Sequence, residues 1–383
     1  MFGMLRRYFP IALLHLYVAA RLVPDVLPAG ALAVAALCAW LAASATLIPL
    51  SFMARRSTMR DVKSRVLAWT GLIAMGMFSS LFVLTLLRDA ALLGGFTLSL
   101  FAHVEGQLNT FRHSSALAVP LLAALLTAVG FVNARRRAGV REVEVPIENL
   151  PAALNGFTIA QISDVHVGPT IKGRHVDAIV DAVNALNADM VAITGDLVDG
   201  SVAELAPHTA ALARLNARHG TFFVTGNHEY YSGAGPWIAE MRRLGINVLL
   251  NEHVVLDHEG EDVVIAGVTD FSAGHFDASQ RSDPAGAIAG APADAGVNVL
   301  LAHQPRSAFA AHTAGYDLQL SGHTHGGQFL PWNFFVRFQQ PFTAGLHRLG
   351  ALWVYVSRGT GYWGPPKRLG APSEITHLTL VPA

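Results

Sequence analysis

The sequence predicts an α/β protein in two parts, N-terminal transmembrane helices followed by a layered α/β domain. Three observations carry this. Apolar residues make up 52% of the 383 positions, more than a soluble domain usually shows. Nearly all of the long uncharged runs fall before Arg135. Beyond that point, short apolar runs alternate with longer stretches of helical period, the pattern of a sheet covered by helices.

The first part, residues 1–133, carries four predicted spans at about 8–23, 29–53, 66–87 and 115–132. Ala29 to Met53 and Val66 to Leu87 each reach the roughly 20 residues needed to cross a hydrocarbon core of about 30 Å. Ser115 to Val132 is shorter but uncharged. Tyr8 to Val23 is interrupted by His15 and Arg21, although an arginine near a helix end can snorkel to the interface. Arg21 also stands where a cleaved leader would need small residues, and further spans follow it. Leu92 to Phe101 is too short for an ordinary span and is expected to extend a helix or lie in the interface.

Charge sets the expected orientation. Arg6 and Arg7 precede the first span, Arg55, Arg56, Arg60, Lys63 and Arg65 lie between the second and third, and Arg135, Arg136, Arg137 and Arg141 follow the fourth. The loops near Asp25 and from Arg88 to Arg112 are poorer in positive charge. Both chain ends are therefore expected in the cytoplasm. Lys+Arg and Asp+Glu are both 27, and no basic face argues for nucleic acid. The single cysteine, Cys38, cannot form an internal disulfide, which fits a reducing compartment.

Residues 134–150 are expected to form a basic linker and an entry strand, and residues 151–383 the folded domain. Within it "GFTIAQIS", "MVAITG", "TFFVTG", "DVVIAGV", "VNVLLA" and "LQLSG" are predicted as buried strands. Between the first three, "GRHVDAIVDAVNALN" and "VAELAPHTAALARLNARHG" suit covering helices.

The residues just past these strands carry the chemistry. The first run ends in Asp164-Val165-His166, the second in Gly195-Asp196-Leu197-Val198-Asp199, and the third in Gly226-Asn227-His228-Glu229. "VNVLLA" ends in His303 and "LQLSG" in His323-Thr324-His325. Ligands bind at the carboxyl ends of strands in open α/β sheets, so five strands would bring these side chains to one rim. Carboxylates, imidazoles and a carboxamide without a thiolate suit Mn, Fe or Zn, and there are enough donors for two ions. Such a pair clamps an in-line displacement at phosphorus. Taken singly, Asp164 and Asp199 read equally well as caps, Asn227 as a turn residue and His303 as an ordinary surface histidine.

In this order the five blocks resemble those of the calcineurin-like metallophosphoesterases. The resemblance covers about Phe157 to the C-terminus. It implies a metallophosphoesterase-type β-sandwich with flanking helices, and two divalent metal ions, with Mn favoured over Fe and Zn. It places Asp164, His166 and His325 on one metal, Asn227, His303 and His323 on the other, and Asp196 between them. The same likeness implies attack by a metal-bridging hydroxide, with His228 assisting the leaving group and Glu229 supporting it. For His228 the competing assignment is a further metal ligand. Purple acid phosphatases carry a tyrosine where this chain has Asp199, which disfavours that branch. The tail "GHTHGGQFLP…LWVYVSRGTGYWGPPKRLGAPSEITHLTL" further resembles a membrane-associated bacterial branch that includes phosphodiesterases.

The expected activity is therefore that of a membrane-anchored, dinuclear-metal phosphodiesterase or pyrophosphatase of the bacterial inner membrane, with its catalytic domain cytoplasmic. The competing functions are a phosphoprotein phosphatase and a non-catalytic metal-binding membrane sensor. Arg358 has two readings, a substrate contact and a structural ion pair. "PWNFFVRFQQPF" crowds Trp332, Phe334, Phe335, Phe338 and Phe342 between Pro331 and Pro341. These aromatics either close the sandwich core or contact a lipid-linked phosphate ester substrate.

Overall fold

A computed structural model describes residues 2–54 and 62–383. The basic residues Arg55, Arg56 and Arg60 lie outside the described residues. The chain divides into two compact units, residues 1–132 with 364–367, and residues 133–363 with 368–383.

The first unit is built from α1 (Phe2–Val26), α2 (Ala31–Ala54), α3 (Val62–Ser99) and α4 (Glu105–Arg135), the last helix running three residues into the second unit. Among the described residues these four are long and apolar enough to cross a membrane. The short apolar piece after Ala91 continues α3 to Ser99 and adds no fifth span. The polar residues that interrupt α1 are met by partners on neighbouring helices. His15 stacks on Phe78 with ring centroids 3.6 Å apart and places Nε2 2.9 Å from Ser44 Oγ. Arg21, near the end of α1, keeps its side chain 45% exposed and donates Nε–H to Asp89 at 2.8 Å. Arg88, buried, pairs with Asp25, which also accepts from Arg112 Nε at 2.7 Å. Opposite charges on three helices thus offset one another where bare charges would be costly.

The second unit holds twelve strands, β1 (Gly139–Ile147), β2 (Thr158–Ile162), β3 (Met190–Ile193), β4 (Thr221–Phe223), β5 (Asn247–Val248), β6 (Glu252–His258), β7 (Glu261–Gly267), β8 (Val297–Leu301), β9 (Leu318–Ser321), β10 (Gly345–Leu349), β11 (Leu352–Val356) and β12 (Glu374–Pro382). They form two mixed six-stranded sheets, ordered β1-β12-β2-β3-β4-β5 and β10-β11-β9-β8-β7-β6. The helices are α5 (Gly173–Asn184), α6 (Val202–Thr209), α7 (Asn227–Ser232), α8 (Ala234–Arg243), α9 (Pro284–Ile288) and α10 (Ala308–Ala314). The second stretch expected as one helix breaks after Thr209 into a 3₁₀ turn, Ala210–Arg214. Pro207, near the end of α6, lacks the N–H that a longer α-helix would use.

Period-two alternation explains the layering. On β3, Met190 and Ala192 face the core between the sheets, while Val191 and Ile193 face the helices. On β8, Val299 and Leu301 face the inter-sheet core and Leu300 turns outward to the α10 side. Helices α5 and α8 close the first sheet with Val176, Ile179, Val180, Trp237 and Met241. The product is a sandwich whose five central strands, parallel to their neighbours through β2, β3, β4 and through β8, β9, end on the same rim.

Trp237 is 1% exposed and donates Nε1–H to Gly200 O at 2.8 Å. Trp237→Ala is expected to destabilise this domain by about 3 to 5 kcal/mol, the usual cost of deleting a buried tryptophan. Denaturant unfolding of the detergent-solubilised variant against wild type measures the loss.

Candidate metal centre

Each candidate side chain sits just past a strand, where the backbone must leave the sheet abruptly. Asp164, His166, Asp196, His323 and His325 all adopt left-handed backbone angles, with φ of 53°, 53°, 51°, 71° and 51°. Non-glycine residues seldom do so, and each costs on the order of 1 to 3 kcal/mol unless its surroundings hold it. Hydrogen bonds supply that hold. Asp164 N donates to Gly195 O at 3.0 Å, His166 N to Asp196 O at 3.1 Å, and His323 N to both Asp164 oxygens at 3.0 Å. Gly195 and Gly226 are required where the β3 and β4 loops cross. A Cβ on Gly195 would lie 2.6 Å from Gly226 N, and one on Gly226 only 2.3 Å from Asp196 Oδ1.

Among the described residues the side chains converge as three overlapping groups, one of Asp164, His166 and His325, one of Asp196, His303 and His323, and one of His166, Asp196 and His228, whose Nε2 stands 4.0 Å from Asp196 Oδ2. In the first, His166 Nε2 lies 3.0 Å from His325 Nε2, and His325 Nε2 lies 3.4 Å from Asp164 Oδ1. In the second, His303 Nε2 lies 3.1 Å from Asp196 Oδ2 and 3.2 Å from His323 Nδ1. Asp196 Oδ2 also stands 3.9 Å from His166 Nε2, so one carboxylate reaches the first two groups. Asn227 completes the rim: its Oδ1 is buried and has no hydrogen-bond partner among the described residues. Buried polar atoms normally have one. A buried, unpartnered carbonyl oxygen on the loop that also carries His228 suits a metal donor.

For His323 and His325 protonation points the same way. Burial holds His323 down to about 3, with the positive fields of His303 and Arg306 adding to it. Burial, then the Arg368 guanidinium, whose Nη2 is 3.1 Å from the ring, keeps His325 well below the ordinary range. Both imidazoles are thus neutral, the form that binds metal. Burial opposes charging His303, but Asp196 outweighs it and raises the group well above its usual value.

His228 is half-buried, with its ring 4.6 Å from that of His166. Its Nδ1 lies 2.5 Å from Asp199 Oδ1, which is also 3.2 Å from His166 Nδ1. Asp199 therefore fixes two imidazoles at once, turning each Nε2 towards the rim. Burial works against a charged His228, yet the carboxylates of Asp196, Asp199 and Glu229 prevail and raise it to about 9. Here the geometry departs from the expected pairing. Among the described residues Glu229 makes no hydrogen bond to the His228 ring; its oxygens accept from the backbone N–H groups of Gly226, Asp196, Leu197 and Val198. The acid on His228 is Asp199, to which the sequence, beyond its place in the second block, gave no role but a cap.

Arg358 donates to Glu374 at 2.9 Å, an ion pair within the sandwich. Arg368 does not stand out in the sequence. It is buried, donates to the carbonyls of His325, Arg358 and Ala371, and sets the loop that presents His325. Only its place after a loop of glycines and prolines hints at this role.

Residues 157–327 match the family model of the calcineurin-like phosphoesterases. A metallophosphoesterase of Campylobacter jejuni is 35% identical over 266 residues, covering 69% of each chain. The chain belongs to the calcineurin-like metallophosphoesterases. A transmembrane protein with a metallophosphoesterase domain from Bos taurus is 41% identical over 277 residues, 69% of this chain and 62% of the relative. Its counterpart in Danio rerio is 38% identical over 273 residues, 68% and 61% respectively. The chain thus spans about three fifths of the length of these two vertebrate relatives. Metal-dependent hydrolysis of phosphoesters at a dinuclear centre is what this family does, and among the described residues four helices of this chain are long and apolar enough to cross a membrane.

Asp196→Ala is expected to lose both metal equivalents, because that carboxylate reaches the first two groups. His228→Ala is expected to keep them and to lower turnover by roughly 10²- to 10⁴-fold, the usual share of acid–base help. Metal analysis of the purified variants, beside rates on a chromogenic diester, separates the two; an equivalent of metal lost from His228→Ala would make that histidine a ligand.

Proposed function

We propose that this metallophosphoesterase hydrolyses the phosphodiester or pyrophosphate bond of a lipid-linked substrate, with its catalytic domain on the cytoplasmic side of a bacterial inner membrane. The observation that carries the lipid is the exposure of the aromatic segment after His325. Trp332, Phe334, Phe335 and Phe338 are 40%, 58%, 53% and 75% exposed, and Phe342 alone packs against the outer hydrophobic cluster. Four large aromatics left in solvent argue against a core role and for an apolar partner.

Asp164, His166 and His325 would hold one divalent ion, Asn227, His303 and His323 the other, and Asp196 both, with manganese favoured. When bound, two such ions acidify water and neutralise charge that develops on the phosphoryl oxygens. His228, kept as an imidazolium by Asp196 and Asp199, presents Nε2 to the rim and donates a proton to the departing oxygen. Asp199 holds the tautomer and the ring orientation, as carboxylates behind catalytic and ligating histidines do. Glu229 acts on the backbone, keeping Asp196 and the His228 loop in register.

Two outcomes are expected. Acylated phosphodiesters or pyrophosphates in micelles are cleaved with higher kcat/KM than short-chain analogues of the same head group, and Phe334→Asp with Phe335→Asp erases that preference while the fold persists. Equal rates on long and short chains would remove the lipid from the proposal, and a response to phosphoproteins alone would replace it. For orientation, a reporter active only outside the cytoplasm, fused after Ala383, is expected to stay silent; activity would reverse the topology.

A further inference from the structure

The folded domain carries a cavity of about 710 Å³ whose wall begins three residues past His303. Arg306 and Phe309 line one side, from the turn Pro305–Ser307 and from α10. Phe271, His275, Arg281 and Pro284, all from the β7–β8 connection, line the other. In a chain with equal numbers of acids and bases, the charged side chains lining this cavity are two arginines, with a histidine beside them and no Asp or Glu.

The neighbouring acids are engaged by neutral donors. Asp270 accepts from Ser272 N at 2.8 Å and Gln304 Nε2 at 3.1 Å, Asp277 from Ser279 N at 2.9 Å, and Asp283 from Gly286 N at 2.9 Å. Among the described residues no carboxylate forms an ion pair with Arg281 or Arg306. Arg306 is nonetheless held in place. Its Nε donates to Gln340 Oε1 at 3.3 Å, Nη2 to the Gln339 carbonyl, and its guanidinium lies 5.2 Å from the Phe271 ring centroid. Neutral partners fix its direction without cancelling its charge. Gln339 and Gln340 follow the exposed aromatic segment directly, so the cavity and that segment share one edge.

We infer that this cavity is a subsite for a second phosphate of the substrate, one carried on the head group away from the scissile phosphorus. Guanidinium forks match phosphate oxygens in shape and charge. Apolar walls beside them accommodate the organic linker, as in most small-molecule sites. The inference rests on the proposed phosphoesterase reading and narrows its substrate class to phosphoesters bearing a further phosphate.

The test uses the full chain in detergent and a matched pair of soluble diesters, glycerophosphoglycerol and its terminally phosphorylated form. With metal loaded, kcat/KM is expected to favour the two-phosphate compound by at least about 10-fold. In Arg281→Gln/Arg306→Gln that ratio should fall to near one. Calorimetry on metal-stripped protein should show the same contrast in binding, which separates the two readings. Arginine-dependent binding without cleavage of either compound would leave the subsite standing and overturn the proposed reaction. Cleavage with no preference, and binding indifferent to both arginines, would overturn the subsite alone. Should the double variant unfold, the single variants Arg281→Gln and Arg306→Gln take its place: a preference cut in either folded variant supports the subsite, and a full preference kept in both overturns it.

Discussion

One buried carboxylate organises the centre. Glu229 is fully buried, yet its oxygens accept four backbone N–H groups, from Gly226 at 2.6 Å, Leu197 at 2.8 Å, Asp196 at 2.9 Å and Val198 at 3.3 Å. These donors offset part of the cost of taking a carboxylate out of water, while burial, with Asp196 beside it, still pushes the group up to about 8. They also tie the loop after β3 to the loop after β4. Asp196 can therefore hold its left-handed backbone and still accept His228 N–H at 2.8 Å. The shared carboxylate and the leaving-group histidine are thus positioned by the same clamp.

That clamp governs the rest of the rim. The crossing of the two loops leaves no room for a Cβ at Gly195 or Gly226, and it brings the first sheet's rim against His303 from the second. His303 in turn points Nδ1 at Thr194 O, 2.8 Å away, which leaves Nε2 for Asp196. Several strained residues are stabilised together by a network in which each hydrogen bond spans two strands. Among the described residues, five of the ten non-glycine residues with left-handed backbone cluster at this one rim, as a preorganised ion site requires.

Much of this was legible in the sequence because each donor comes directly after a short β-branched or aromatic run, and parallel strands deliver their ends to one side. The blocks at Asp164, Asp196, Asn227, His303 and His323 could be read in that way. Partnerships were harder to read. Asp199 and Glu229 are both acids near His228 in sequence or block, and only the fold decides that Asp199 meets the ring while Glu229 meets backbone. Arg368 acts through carbonyls far from it in the chain, which no local pattern records. The aromatics after Pro331 have the composition of a core, and only the fold decides that Trp332, Phe334, Phe335 and Phe338 stay exposed. In the helical unit, Asp89 sits 68 residues from Arg21, so a hydropathy pattern does not record the ion pair that the fold supplies.

The central claim is that Asp196 sits between two metal positions built from two sheets. Anomalous diffraction from crystals of the full chain grown with manganese tests it most directly. The account predicts two anomalous peaks, one beside Asp164, His166 and His325, the other beside Asn227, His303 and His323, with Asp196 touching both. A single peak, or a second one coordinated by His228 in place of Asn227, would contradict it.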